Sequence, residues 1–228
     1  MSKTIGILGG MGSFATLHFF KTLLELSEPD EFRIIIDNAV HILERTKAVK
    51  EKREGEVTED ILKSFYHLSR MKADFVVVPC NQAHRWYRRI PDLFKMPWLN
   101  MIKIVSDAVK AQGLSRPLIL GGYVTVTKKL YSEYLPGAVY LDDKGNAHIY
   151  EIIRLIKKGK HKKIDYYENI IGDSLILGSV DEVKQEIDCI ILACTELPML
   201  KLFNKQWHIP FIDSSLELAR ATIKYARE

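Results

Sequence analysis

Apolar and polar positions along the chain fall into two repeating lengths. Short runs that are apolar throughout end in glycine, cysteine or asparagine, and longer stretches between them carry apolar residues every three or four positions. The first pattern predicts strands buried on both faces and the second predicts amphipathic helices. Ile5–Leu8 reads as a strand ending in Gly9-Gly10-Met11-Gly12, with Ser13 as the N-cap of a helix. In that helix Phe14, Leu17, Phe20 and Leu24 recur at helical spacing until Glu28-Pro29-Asp30 breaks it. Strands are expected next at Arg33–Asp37, Asp74–Pro79 and Trp98–Met101. Between them lie a helix over Thr58–Lys72, with Ile61, Leu62, Phe65 and Leu68 on one face, and a short helix over Gln82–Arg89. The alternation then returns as strand Leu118–Leu120, helix Val126–Tyr134, strand Val139–Leu141, helix Ala147–Lys157, strand Ile190–Ala193, strand Phe211–Ile212 and helix Ser214–Arg227. The charged run Lys47–Glu56 is expected to be a solvated loop or helix end.

The return is a duplication. Asp74-Phe-Val-Val-Val-Pro-Cys80 is echoed by Asp188-Cys-Ile-Ile-Leu-Ala-Cys194, with the same interval between aspartate and final cysteine. Ile7-Leu8-Gly9-Gly10 recurs as Ile119-Leu120-Gly121-Gly122, and Pro97-Trp98-Leu99-Asn100 as Pro210-Phe211-Ile212-Asp213. Three anchors in one order at nearly constant offset imply two homologous halves. The expected fold is therefore α/β, with two similar lobes related by pseudo-twofold symmetry. Each lobe is a parallel sheet flanked by helices. The lobes are expected at 1–97 and 98–209, the Pro91–Pro97 segment crosses between them, and 210–228 returns as a strand and helix to the first lobe. Ligands in such folds bind beyond the carboxyl ends of the strands. Gly9–Ser13, Cys80–Gln82, Thr125 and Cys194–Glu196 all fall there.

Composition narrows the setting without choosing a function. The 228 residues are 47% hydrophobic and 27% charged, ordinary for a soluble globular protein. A net charge of +4 is too small to imply a nucleic-acid partner. No run approaches the ~18–20 apolar residues of a membrane span, and the N-terminus has too short an apolar run for a signal sequence. Cys80, Cys189 and Cys194 are an odd number without framework spacing, which predicts free thiols in a reducing cytoplasm.

The chemistry rests on Cys80 and Cys194. Each ends a buried strand where a helix is expected to begin, and backbone N–H groups there would lower a thiol pKa below about 8.5. Two thiols facing each other across a ligand suit proton exchange at a stereocentre: one removes the α-proton, and the other delivers a proton to the opposite face. Backbone N–H groups with the side chains of Asn81, Ser13 or Thr195 could stabilise the charge that builds on the substrate carboxylate. Cys189 lies inside its strand and reads as core. A dinucleotide fingerprint fails because Ala15 stands at its third glycine. Cys80 and His84 have no second ligand pair at zinc spacing, so no metal is expected and His84 reads as packing or as support behind the site. The basic run from Lys157 to Lys163, with Tyr166-Tyr167, reads as a solvated helix end rather than an RNA surface.

Gly-Ile-Leu-Gly-Gly-Met-Gly (6–12), Pro-Cys-Asn-Gln-Ala-His (79–84) and Ala-Cys-Thr-Glu-Leu-Pro (193–198) together resemble the aspartate/glutamate/hydantoin racemase superfamily, in its aspartate racemase and broad-specificity amino-acid racemase branch. The resemblance implies cofactor-independent, two-base racemisation by Cys80 and Cys194. It implies an α-carboxylate held at Asn81 and Thr195, with Met11, Gly12, Ser13, Gln82 and Thr125 lining the pocket. Arg45, in Glu44-Arg45-Thr46, and Lys157 are implied partners of a distal carboxylate. Homodimers are common among such relatives. Gln82 and Ser13 depart from the threonine and proline usual in the family, and Gly122-Tyr123-Val124 departs from its small-residue approach to Thr125. The expectation is a cytoplasmic racemase of aspartate or glutamate that uses no cofactor, no nucleic acid and no membrane. The alternative is a protein that binds a carboxylate or amino acid on this scaffold without turnover.

Overall fold

A computed structural model of the chain describes residues 2–90, 96–158, 180, 183, 186–200 and 209–228. Among these residues six strands form two parallel sheets of three. In the first, β1 (Ile5–Gly9) lies between β2 (Ile34–Asn38) and β3 (Phe75–Val77). In the second, β5 (Cys189–Ala193) lies between β4 (Pro117–Gly121) and β6 (Phe211–Asp213). The central strands are buried at every residue, as parallel strands covered by helices on both faces must be. Single parallel bridges extend each sheet on one side, Trp98 to Val76 in the first and Val139 to Leu118 in the second. The expected strands at 98–101 and 139–141 are reduced to these contacts.

The two echoed aspartates do the same work at the lower edge of each sheet. Asp74 accepts from the backbone N–H of Thr4 at 2.6 Å. Asp188 accepts from Ser115 at 2.6 Å and from Arg116 at 2.9 and 3.0 Å. Each carboxylate ties the strand that leads to Cys80 or Cys194 to the start of its neighbour, which fixes the register along which both strands rise.

The helices obey the sequence pattern with informative departures. α1 (Ser13–Leu26) begins at Ser13, but Gly12 holds the cap position and Ser13 is the first helical residue. Its Phe14, Leu17 and Leu24 face outward, 42%, 62% and 53% exposed, while Ala15, Thr16, Phe19 and Leu23 face the sheet. Part of the charged run is helical: α2 (Arg45–Lys50) buries Ala48 and Arg45, and α3 (Glu54–Arg70) begins before that run ends. α3 buries Ile61, Phe65 and Leu68, each worth roughly 1.5–3 kcal/mol.

α4 (Met101–Ala111) was not expected from the sequence. Asn100 caps it, accepting from Ile102 and Lys103 at 3.0 and 3.2 Å. Asp213 caps α7 (Ser214–Arg227) in the same way, accepting from Ser215 and Leu216 at 2.7 and 3.2 Å. The repeated Pro-aromatic-aliphatic-Asn/Asp segment is thus a sheet edge leading into a helix cap. α5 (Tyr123–Thr127) is shorter and earlier than expected, and α6 (Asp143–Lys157) starts four residues before the expected Ala147.

The strand expected to return to the first lobe stays in the second sheet, paired to β5. Only α7 makes the return, packing on α1 and α4, with Lys3 N–H donating to Ala226 O at 2.9 Å. One apolar cluster accordingly joins residues of both sheets, including Ile5, Phe75, Ile119, Ile191 and Leu218. Most of the crossing segment Pro91–Pro97, and the basic run beyond Lys158 with Tyr166-Tyr167, lie outside the described residues.

Candidate active site

Cys80 and Cys194 lie beyond the carboxyl ends of β3 and β5, 8% and 6% exposed. Cys80 caps a 3-10 helix, Asn81–Arg89. His84 reaches back from this helix. Its Nδ1 is 3.0 Å from the Cys80 carbonyl, and its Nε2 accepts from Met101 N–H at 3.0 Å, so the proton sits on Nδ1. Burial pulls its pKa down to about 4 and keeps the ring neutral.

The two cysteine-bearing turns are bonded to one another. Thr195 Oγ1 donates to the carbonyl of Pro79 at 3.0 Å, joining the residue after one cysteine to the residue before the other. Asn81 Nδ2 donates to Ser214 Oγ at 2.9 Å, and Ser214 Oγ donates to Leu192 O at 2.7 Å. Tyr131 OH donates to Asn81 Oδ1 at 2.6 Å. The side chains of Asn81 and Thr195, expected at the substrate carboxylate, make bonds across the seam between the lobes.

Cys194 is not the activated thiol that its position at a strand end suggested. The chain leaves it through a turn and a three-residue 3-10 helix, Leu197–Met199, too short for an appreciable dipole. Its Sγ donates to Glu196 Oε2 at 2.9 Å. Burial first, and the Glu196 charge next, push the thiol pKa well above its ordinary value; Lys157 opposes them. Lys157 ends α6, with Nζ 3.9 Å from Glu196 Oε1. Burial pulls its pKa down, but the negative charges of Glu196, Cys194 and Cys80 outweigh that and leave it raised. One ammonium therefore feels both sulfurs. Gly12 packs on the same carboxylate: a Cβ there would stand 2.2 Å from Glu196 Oε1.

The remaining expected residues divide. Arg45 is 3% exposed and donates to three carbonyls, Met11 at 2.7 Å and Ile42 and Leu43 at 3.3 Å, so its guanidinium holds the Met11 loop. Ser13 Oγ accepts from Asn38 at 3.3 Å in an exposed position. Gln82 Oε1 accepts from Val124 N–H at 2.9 Å, crossing from the first lobe to α5. A Cβ at Gly122 would come within 2.8 Å of that amide. Thr125 Oγ1 is fully buried and has no hydrogen-bond partner among the described residues.

Beside Gln82 and Lys157 a cavity of about 410 Å³ opens, with Glu44, Thr46, Tyr123 and Tyr150 among its walls. The sulfurs do not line it, whereas Gln82 and Lys157 do. Sequence reasoning placed Glu196 at the carboxyl ends of the strands without a role, and missed Tyr131 and Ser214 as members of the site. Glu196 was visible as the acidic residue two after the second cysteine, whereas Tyr131 and Ser214 carry no local signal. Cys189 is fully buried, its pKa pushed up to about 12 by burial and Asp188. Among the described residues no cluster of His, Cys, Asp and Glu could hold a metal ion, and no helix is long and apolar enough to cross a membrane.

Two parallel α/β lobes, each with a cysteine beyond the carboxyl end of a strand, meet at this site. The family profile described as Asp/Glu/Hydantoin racemase matches residues 8–222, and the chain belongs to that family. It is 26% identical over 232 residues to the broad specificity amino-acid racemase RacX of Bacillus subtilis (strain 168), covering 96% of each chain. Among solved structures it is similar to Picrophilus torridus aspartate racemase, with a TM-score of 0.82, 28% identity, and coverage of 99% of this chain and 94% of that one. An aspartate racemase homologue from Pyrococcus horikoshii OT3 shares the fold, with a TM-score of 0.77 at 22% identity over 99% of this chain and all of that one.

Proposed function

We propose that the protein racemises an acidic amino acid, aspartate or glutamate, without a cofactor, through Cys80 and Cys194 acting as two bases from opposite faces. One sulfur takes the α-proton, the electron pair left behind spreads into the α-carboxylate, and the other sulfur returns a proton to the far face of the same carbon. The observation that carries this reading is the Thr195–Pro79 hydrogen bond, which links the two cysteine turns directly across the lobes. It is supported by Lys157, whose charge responds to both sulfurs.

Because the Asn81 and Thr195 side chains are engaged elsewhere, the α-carboxylate is assigned to backbone N–H groups. The first of these open the 3-10 helix at Asn81 and Gln82, where N–H groups have no intrahelical acceptor. The unpartnered Thr125 hydroxyl joins them. Each such donor is worth about 2.7–4 kcal/mol at a developing oxyanion. Lys157, which lines the cavity and feels both sulfurs, supplies the counter-charge to a distal carboxylate, and Arg45 adds positive charge from behind the Met11–Ser13 loop. The cytoplasm is the assigned compartment, since the mechanism needs both thiols reduced. The outward-facing Phe14, Leu17 and Leu24 support a homodimer built on α1.

The test is deuterium uptake at the α-position of D- and L-aspartate, glutamate and alanine in heavy water. Exchange should occur with the acidic pair, and Cys80→Ser and Cys194→Ser should each abolish racemisation. Ligand-induced stabilisation without any exchange would instead mark a binding protein.

A further inference from the structure

The two halves of the site part company beyond the cysteines, and two residues on Gln82 in the first half stands against Glu196 in the second. Both side chains are buried, at 4% and 3% exposed. Gln82 is neutral and turns away from its cysteine, toward the Val124 amide at 2.9 Å and the Thr46 hydroxyl at 3.5 Å. Glu196 is ionisable and turns back on its own cysteine, with Oε2 2.9 Å from Cys194 Sγ. The first lobe leaves it room through Gly12, where any side chain would collide with Oε1.

Building on the two-base reading above, we propose that Glu196 makes the paired site unequal at rest: it holds Cys194 as the thiol, ready to donate, and leaves Cys80 as the sulfur that opens a turnover as base. Glu196 is a positioning residue here, since it acts through Cys194. The physical reason is contact between charges. Ionising Cys194 would set a thiolate against a carboxylate in a buried site, where like charges interact far more strongly than in water. The groups facing Cys194 are Glu196 on its own turn and Lys157 from α6. Lys157 and the Glu196 N–H work against the carboxylate, but burial and the carboxylate prevail. The same ammonium also faces Glu196 and Cys80 and is opposed by Arg45, so its charge is shared.

The turnover balances. The Cys80 thiolate accepts the α-proton and becomes a thiol. The electron pair on the α-carbon then takes the proton of Cys194, which is left as a thiolate beside Glu196. That product form is the disfavoured one, and it returns to rest by releasing a proton from Cys80 to solvent and taking one up at Cys194.

Alkylation tests this without any turnover. The full chain is treated with iodoacetamide from pH 6 to 9, and modification of each cysteine is tracked by peptide mass spectrometry. The two residues are similarly buried, 8% and 6% exposed, and the pH midpoint of each rate reports thiolate formation at that cysteine, one pKa unit being worth about tenfold. Cys80 should react at least about tenfold faster than Cys194 at neutral pH. Glu196→Gln should move the pH midpoint for Cys194 down by about one unit or more, and Glu196→Asp should keep the wild-type order. A Cys194 that reacts as fast as Cys80 in the wild type overturns the proposal, as does an unmoved midpoint in folded Glu196→Gln protein. Should that variant not fold, the wild-type order alone decides. Absent deuterium exchange would sink the racemase reading while leaving this inequality standing, so the two failures are distinguishable.

Discussion

The hydroxyl of Thr195 in the second lobe donates to the backbone carbonyl of Pro79 in the first at 3.0 Å, with both groups buried. One hydrogen bond thus sets the relative position of the two turns that carry Cys80 and Cys194. Thr195→Val keeps the shape and removes the donor, stranding a buried carbonyl, which costs about 1–3 kcal/mol. The variant should unfold at lower denaturant and lose racemisation beyond what its stability explains. Thr195→Ser should restore both. Urea midpoints beside initial rates check this, and wild-type rates in the valine variant would show that the bond does not set the site.

Gln82 and Gly122 are a matched pair across the lobes. Gly122→Ala places a Cβ about 2.8 Å from Cδ and Nε2 of the Gln82 amide, and shifting that amide disturbs the bond its Oε1 accepts from Val124 N–H. A loss of about 1–3 kcal/mol is expected, as for other overpacked sites. Shortening the partner should relieve the clash, so Gly122→Ala with Gln82→Thr should be less unstable than the sum of the single variants. A double-mutant cycle measures the coupling, and additive losses would remove the pairing.

His84 gives the fold an acid-sensitive element. Its pKa is depressed from 6.5 to about 4, so between those values the unfolded chain takes up a proton that the folded chain excludes. The stability contributed by the neutral ring is therefore fully present above pH 6.5. It is lost as pH falls toward 4 and levels off below, to a total of roughly 3 kcal/mol. His84→Asn should be less stable than wild type at pH 7, and the gap should narrow steadily toward pH 4. Denaturant midpoints of both proteins across that range cancel the carboxylates they share. A gap independent of pH would mean that the ring is not excluding a proton.

Arg45 donates from its two terminal nitrogens to the Met11, Ile42 and Leu43 carbonyls, while its buried Nε has no hydrogen-bond partner among the described residues. A lysine has no planar fork with which to bridge three acceptors. Arg45→Lys should therefore lower kcat/KM for aspartate and for alanine by similar factors, as a loop-holding residue would. Lys157→Met should lower kcat/KM for aspartate far more than for alanine. If Arg45→Lys proves selective for the dicarboxylic substrate, its guanidinium is reaching a ligand that this arrangement does not offer it.

Much of the architecture was legible before any coordinates. Wholly apolar runs can only be strands covered on both faces, and the central strands are buried throughout. The repeated Asp-strand-Cys segment marked the duplication, because each aspartate has a fixed task at the sheet edge. Periodicity was a weaker guide to facing. In α1 Phe14, Leu17 and Leu24 point outward, while Phe19 and Leu23 face the sheet together with Ala15 and Thr16. α4 was hidden because the sequence pattern marks a cap without saying how far the helix behind it runs.

The chain by itself determined the class of fold, the twofold repetition and the pair of sulfurs. Those depend on backbone periodicity and on residues fixed within their own segments. What surrounds the sulfurs was decided only in three dimensions, by a carboxylate two residues beyond one cysteine folding back onto it while the matching glutamine turns to the other lobe. Charge and desolvation depend on what surrounds a group. At this site the surroundings come from both lobes, with Gly12 from one strand end and Lys157 from a helix of the other half.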